Sequence, residues 1–416
     1  MSEKKFQTVQ LTLEQSVESR TKLIQGAINR AAHTAGVVSL AGKGVYVIDG
    51  LLMKSGVTLD VQAGVTLMGS GNEDKYHHRP GPFELLRNQT PICALIFGNQ
   101  CDNCVISGKG TISGNYRCFI KANQEQAAHI ESHHYPRPEM IYLQDSRNVT
   151  VEGLTIIDSP FWTIHLAGCQ QVKLANLTIN NEVRMPNTDG IDLDRCQYVV
   201  VQGCKISTGD DGICLKCTEE TKRFGDCTDI EVTDCQIHSQ SAAFKVGSSS
   251  FGNFLSVKVV RLLIVNSNRG LAFQLRDGGL ARNFQFSDVK ISTRDFSEEW
   301  WGNAEPIYIT FVARDHETVI KPDDGIENVQ FSNINANSPT GALIYSDVAG
   351  RIKNIRFVQT QLWITTEVGK MRHYDLRPSE KRQSLIMPVS GLVGRVKQNQ
   401  QAGLSVMYRS NEDQPD

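Results

Sequence analysis

Two short acidic stretches hold the side chains best suited to chemistry. Asn187-Thr-Asp-Gly-Ile-Asp192 carries Asp189, and Gly209-Asp-Asp-Gly212 carries Asp210 and Asp211, 21 and 22 residues further on. A carboxylic acid held protonated beside carboxylates held ionised is the equipment for splitting a glycosidic bond. Crowded carboxylates repel one another, which raises at least one pKa and so creates the acid. Taken singly, each Asp also fits a plain turn, where Asp and Asn are common. Three of them about one structural repeat apart point instead to a functional cluster. Gly209 and Gly212 flank the pair and permit the bend that turns both carboxylates toward a cleft.

The elements that must position these residues follow a repeat. Val149-Thr-Val-Glu-Gly-Leu-Thr-Ile, Val172-Lys-Leu-Ala-Asn-Leu-Thr-Ile and Val199-Val-Val-Gln-Gly-Cys-Lys-Ile share one pattern. It returns at Ile230, Val257, Phe284, Val329 and Ile355, with starting positions advancing by 23, 27, 31, 27, 27, 45 and 26 residues from Val149. Such a period with β-type alternation marks a solenoid. The expected fold class is all-β, a right-handed parallel β-helix with rungs about 4.8 Å apart. Residues one coil apart would then sit side by side on one face. Coils are expected over about 37–366, within one domain spanning 1–416. Thr12-Leu-Glu-Gln has the form of a capping box, and Leu23, Ile24, Ala27, Ile28 and Ala31 follow at helical spacing. This predicts a helix over about 13–35 that covers the open end of the first coil. The 45-residue interval implies an expanded loop around Glu298-Glu-Trp-Trp-Gly-Asn-Ala-Glu-Pro306. A polar segment, about 369–416, shows few strand signals and is expected to be loosely held.

Composition removes several classes. Net charge is −2, so no basic excess is available to neutralise phosphates, and nucleic acid is excluded as the main partner. Apolar runs are strand-sized, which argues against a membrane span. Met1-Ser-Glu-Lys-Lys-Phe6 lacks the apolar core of a secretory signal, giving a cytoplasmic expectation. Two CxxC pairs, Cys101–Cys104 and Cys214–Cys217, raise zinc. Cys214 and Cys217 lie in a strand-like run, however, where residues three apart face opposite ways, and buried packing accounts for all eleven cysteines. His129, His133 and His134 form a histidine cluster with no matching Cys or acidic pattern, and read as a polar loop. Neither a metal nor a cofactor is expected, and the oligomeric state is not readable.

At this point the sequence resembles the polygalacturonases and their relatives, glycoside hydrolase family 28. Asn187-Thr-Asp-Gly and Gly209-Asp-Asp match the two acidic motifs of that family, with Cys196 and Cys204 between them. Ser159-Pro-Phe-Trp-Thr-Ile-His165 and Gly302-Asn-Ala-Glu-Pro-Ile resemble stretches of its bacterial members. The resemblance runs from about 19 to 357 and implies an inverting hydrolase. By position, Asp210 would be the general acid, while Asp189 and Asp211 would hold and activate the attacking water. Asn187 would shape the Asp189 turn.

Departures from the family pattern bear on substrate. The third motif, Gly-His-Gly ahead of Ile-Gly-Ser, aligns with Ser241-Ala242-Ala243, so Ala242 replaces the histidine. The fourth, Arg-Ile-Lys, aligns with Ala272-Phe273-Gln274, which removes the cations that grip a galacturonate carboxylate. Arg276 lies two residues beyond Gln274, on the same face of a regular strand, and could partly substitute. Lys245 either contacts a uronate or holds Asp210, or is simply a solvated outer-face lysine. His165 lines the groove or is a structural histidine. Trp301, with Trp300, offers an indole face to a sugar from the inserted loop.

The resulting expectation is a hydrolase of α-linked, galacturonate-containing pectic oligosaccharides, acting from one chain end, with rhamnogalacturonan and oligogalacturonide types both open. A uronate lyase or epimerase on the same fold, and a non-catalytic glycan-binding β-helix, remain alternatives.

Overall fold

The computed structural model describes residues 5–78, 92–367, 369–394 and 403–408. Residues 1–4, on which part of the cytoplasmic expectation rests, 79–91 of the expected coils, and 395–402 and 409–416 of the polar segment lie outside the described residues. The fold is a right-handed parallel β-helix. Its coils group into two compact units, 1–209 and 210–416.

In the first unit the repeat residues stack as their pattern requires. Val149 pairs with Val172 and Val172 with Val199, while Ile156, Ile179 and Ile206 form a second file. All six are buried. The polar or Gly residue between the apolar pairs makes the bend: Gly153, Asn176 and Gly203 have φ of 77°, 53° and 67°. Left-handed backbone suits Gly and, among residues with a side chain, Asn. A further set of strands, Glu139–Gln144, Ile164–Ala167 and Ile191–Asp194, packs in parallel register. Ile141, Ile164 and Ile191 form one file. Tyr142, His165 and Asp192, with alternate phase, form another on the opposite face.

The first coil starts earlier than the repeats indicate. Phe6–Gln10 is already a strand, paired in parallel with Val37–Ala41. The helix is shorter than expected, Val17–Ala32, because Ser16 is the residue that caps it, accepting from Ser19 N at 3.2 Å. The Thr12–Gln15 turn does form, with Thr12 N donating to Gln15 Oε1, but it lies ahead of the helix. The chain turns out of the helix through Ala35 at φ 48°, while Gly36 N donates to Ala31 O at 3.0 Å. Ile24, Ala27, Ile28 and Ala31 are buried. Gln25 treats the Leu51–Leu52 strand as a missing neighbour would: its Oε1 accepts from Leu52 N at 2.8 Å and its Nε2 donates to Leu52 O at 3.0 Å. The helix therefore satisfies strand-edge backbone that could otherwise pair with another chain.

The second unit continues the same grammar. Ile230, Val257, Phe284, Val329 and Ile355 pair successively in register, and the bends fall at Asp234, Arg261, Asp288, Asn333 and Gln359, all at positive φ. Phe286, Phe331 and Phe357 stack with ring centroids 5.1 and 5.3 Å apart. The 45-residue interval holds a loop and an additional strand, Ile307–Phe311. The C-terminal segment differs from expectation. Met371–Asp375 and Ser384–Pro388 form an antiparallel hairpin, and Tyr374 and Leu376 are fully buried against Ala242, Ala272, Tyr308 and Leu343. Its polar composition hid this because much of its binding uses backbone carbonyls.

Ten of the eleven cysteines are buried, as expected for packing residues; Cys118 is exposed, which corrects that reading at one position. The Cys214 and Cys217 thiols donate to Gly247 O and Asn253 O. Among the described residues no helix is long and apolar enough to cross a membrane. Gln25→Ala should lower the unfolding free energy by about 1–2 kcal/mol, since two backbone groups at the strand edge lose their partner. Denaturant unfolding of the two proteins measures this, and an unchanged midpoint would remove the helix from its edge-capping role.

Candidate active site

Asp189 sits in a turn that its own unit builds tightly. Asn187 precedes it at φ 57°, half-buried, and Asp189 itself is buried. The Asp189 and Gly190 carbonyls accept from Thr163 N and Ile164 N, which ties the turn to the neighbouring coil. Asn181, buried, donates to Thr188 O at 3.2 Å and Thr163 Oγ1 at 2.7 Å. Thr188 Oγ1 donates to Met185 O and accepts from Gly209 N at 3.0 Å. Arg137, also buried, donates to Pro160 O at 2.6 Å and Pro186 O at 2.5 Å, with its guanidinium carbon 5.2 Å from the Phe161 ring centroid. Sequence reasoning did not find Asn181, Thr188 or Arg137 as turn supports. Only Thr188 lies in a motif, and the other two are joined to the turn by coil stacking.

His165 is not at an open surface. It is fully buried, with Nδ1 2.8 Å from Glu139 Oε1 and Nε2 3.7 Å from Asp194 Oδ2, and with the Tyr142 and Trp162 rings edge-on to it. Burial alone would lower its pKa, but Glu139 and Asp194 outweigh burial and raise it to about 9. Stability from this ion cluster is therefore present below the ordinary histidine pKa and lost as pH rises through about 9. The structural reading of His165 is the one that fits, and its place as a sugar contact is corrected accordingly.

The second unit assembles Asp210, Asp211 and Lys245. Both aspartates are buried. Asp210 Oδ1 accepts from Asp211 N, and its carbonyl accepts from Ser239 Oγ at 2.6 Å. Asp211 is gripped through both oxygens. Oδ1 accepts from Ser241 Oγ at 2.9 Å and Ala242 N at 3.2 Å, and Oδ2 accepts from Lys245 Nζ at 2.7 Å. Burial pushes the Asp211 carboxyl up, yet the nearby Lys245 and Lys216 charges and the hydrogen bonds from Lys245 and Ser241 together hold it below the usual carboxylate range. Lys245 is raised for the reciprocal reason, Asp211 outweighing its burial. Lys245 thus holds Asp211, not Asp210, and is not a solvated lysine: its side chain is 13% exposed.

Gly209 and Gly212 flank the pair as expected, but neither has a positive φ. Each is needed for space. A Cβ on Gly209 would lie 2.1 Å from Met185 O, and one on Gly212 would lie 2.6 Å from Ala243 O.

The remaining expected sugar contacts are placed differently. Gln274 is buried and donates to the Arg377 carbonyl. Arg276 is also buried and donates to Leu275 O, Thr310 Oγ1, Tyr308 OH and Leu376 O. Neither side chain faces an open cleft, because the C-terminal hairpin lies over them, and the substitution of Arg276 for the missing cations is corrected on that ground. Trp300 is buried against Phe296; Trp301 is half-buried, edge-on to Trp300 with centroids 5.8 Å apart. In the histidine loop, His134 Nε2 lies 3.1 Å from Glu73 Oε1.

The profile of Glycosyl hydrolases family 28 matches residues 37–363. The chain belongs to this family. It is 23% identical over 380 residues to an endo-polygalacturonase of Pectobacterium carotovorum, covering 87% of this chain and 90% of that protein. A probable polygalacturonase of Vitis vinifera is 28% identical over 218 residues, 50% of this chain and 43% of the grapevine protein, so the chain spans less than half of that relative. The fold is also that of a hyperthermoactive exopolygalacturonase from Thermotoga maritima, with a TM-score of 0.62, 21% identity and 85% of each chain covered.

The Asp211–Lys245 pair has opposite linkage at its two ends. Its stability is present above the ordinary carboxylate pKa of about 3.9 and is lost as pH falls through the lowered Asp211 value. It is present below the ordinary lysine pKa of about 10.4 and is lost as pH rises through the raised Lys245 value. In Lys245→Met the acidic limb of the kcat/KM profile should move up by at least about one pH unit. Lys245→Arg, which keeps the charge, should leave the limb close to that of the unmutated protein. An unmoved limb would show that Asp211 does not depend on Lys245.

Proposed function

We propose that the protein is an inverting glycoside hydrolase that cleaves α-linked, galacturonate-containing pectic oligosaccharides from one chain end. Asp210 is the general acid that protonates the leaving oxygen. Asp189 and Asp211 orient the attacking water and take its proton. The observation that carries this reading is the double grip on Asp211. A carboxylate bonded through both oxygens to cationic and neutral donors stays ionised, so it suits the base and leaves the acid role to its neighbour Asp210. Membership of the family and the polygalacturonase names of the relatives support the substrate class.

Ala272 and Gln274 stand where the family pattern carries the cations that grip a galacturonate, and both are covered by the C-terminal hairpin, so that grip is not made there and mixed pectic fragments stay in the substrate class beside oligogalacturonides. A lyase or epimerase would need a neutral basic side chain. Lys245, the lysine beside Asp211, is paired and held charged, which counts against that reading.

Chromatography of products from defined oligogalacturonides, rhamnogalacturonan fragments and polygalacturonate tests the proposal. Asp210→Asn should lower kcat by about 10³-fold or more with an unchanged melting temperature. Full activity in that variant would overturn the assignment of Asp210. Glycan binding without turnover in the unmutated protein would overturn the enzymatic reading altogether.

A further inference from the structure

The outward-facing file of side chains in the second unit runs Cys214, Lys245, Ala272, Tyr308 and Leu343, one per strand. Lys245 touches Asp211, so this file leads away from the chemistry one strand, about 4.8 Å, at a time. Beyond Lys245 nothing on it is open: Ala272, Tyr308 and Leu343 are all buried. Their cover is the C-terminal hairpin, through Tyr374 and Leu376.

The hairpin is fixed by three successive backbone carbonyls, each taken by side chains rising from the sheet. Asp375 O accepts from Arg269 Nη2 and Tyr308 OH, both at 2.8 Å. Leu376 O accepts from Arg276 Nη2 at 3.1 Å, and Arg377 O accepts from Gln274 Nε2. The Arg377 guanidinium, whose side chain is 35% exposed, binds the Asp375 carboxylate and Trp300 O. Donors on the outer sheet face are what a bound sugar would use. Here they are spent on the protein's own chain.

We infer that residues 375–377 occupy the glycan position next to Lys245 and act as a fixed stop, so that a sugar chain can extend away from this position but not past it. The inference rests on the proposed hydrolase and identifies which part of the chain imposes its end preference. It assigns specificity to a segment lying more than 160 residues after Asp211. Arg377 is then a specificity-determining residue, since its backbone and side chain form the edge of the stop.

The test compares the unmutated protein, Arg377→Gly, and a variant with 371–388 replaced by a short Gly-Ser link. Each is checked for folding by circular dichroism and then given end-labelled pectic oligosaccharides of graded length. The unmutated protein should cut at one fixed distance from one end whatever the length. Each folded variant should gain internal products by about tenfold or more relative to the terminal product, with short substrates still cleaved. Multiple internal cuts by the unmutated protein, or an unchanged single product from a folded Arg377→Gly, would overturn the stop. If the hairpin replacement does not fold, Arg377→Gly and the unmutated length series still decide. If no protein releases product, the hydrolase reading fails separately. Calorimetric binding of the same length series then decides the stop: affinity that ceases to rise with length only when Arg377 is present supports it, and identical length dependence in both proteins overturns it.

Discussion

Register is the constraint on which everything else depends. In a parallel ladder each residue lies beside its counterpart in the next coil, and side chains alternate between two faces. A file of one phase can therefore be wholly apolar while the file beside it carries function. In the second unit Phe244, Leu271 and Ile307 fill the interior, and their next neighbours Lys245, Ala272 and Tyr308 face the other way. A slip of one residue would exchange the two files, placing Lys245 in the core. The apolar repeat thus fixes the address of each functional side chain without touching it.

Electrostatics builds on that address. Lys245 Nζ and Asp211 Oδ2 are 2.7 Å apart in a site nearly closed to water, where burying either charge alone would be costly. Ser241 and the Ala242 backbone complete the bonding of the carboxylate. Ala242 lacks the imidazole that the family pattern carries there, but its backbone N–H still serves Asp211. The same economy recurs under the hairpin, where the buried Arg269 and Arg276 donate to acceptors that include Glu305, Thr310 and the Leu376 carbonyl, each more than thirty positions away.

The repeats were legible because apolar residues recur every 23 to 31 residues through most of the chain, and Ile230, Val257, Phe284 and Val329 indeed pair in that order. The acidic motifs were legible because Gly and Asp cluster locally. Strands such as Ile164–Ala167 were not, since four residues with both faces buried show no alternation that marks them. His165 shows the consequence: its position left a groove contact and a structural role both open, because the partners that decide for the latter, Glu139 and Asp194, come from other coils. Gln274 and Arg276 were misjudged for the same reason. Their strand was recognised, but the segment that covers it comes about a hundred residues later and carries almost no pattern of its own.

In the proposed mechanism, water activated by ionised carboxylates attacks while Asp210 delivers the proton from the other side of the bond. Proton NMR of the first turnover products reports this directly, because the anomer formed at the cleaved bond is visible before it equilibrates with its partner. An α-linked substrate should give the β-anomer first. Initial appearance of the α-anomer would mean that one carboxylate attacks the sugar itself, and the assignment of Asp211 as a water-activating base would be wrong.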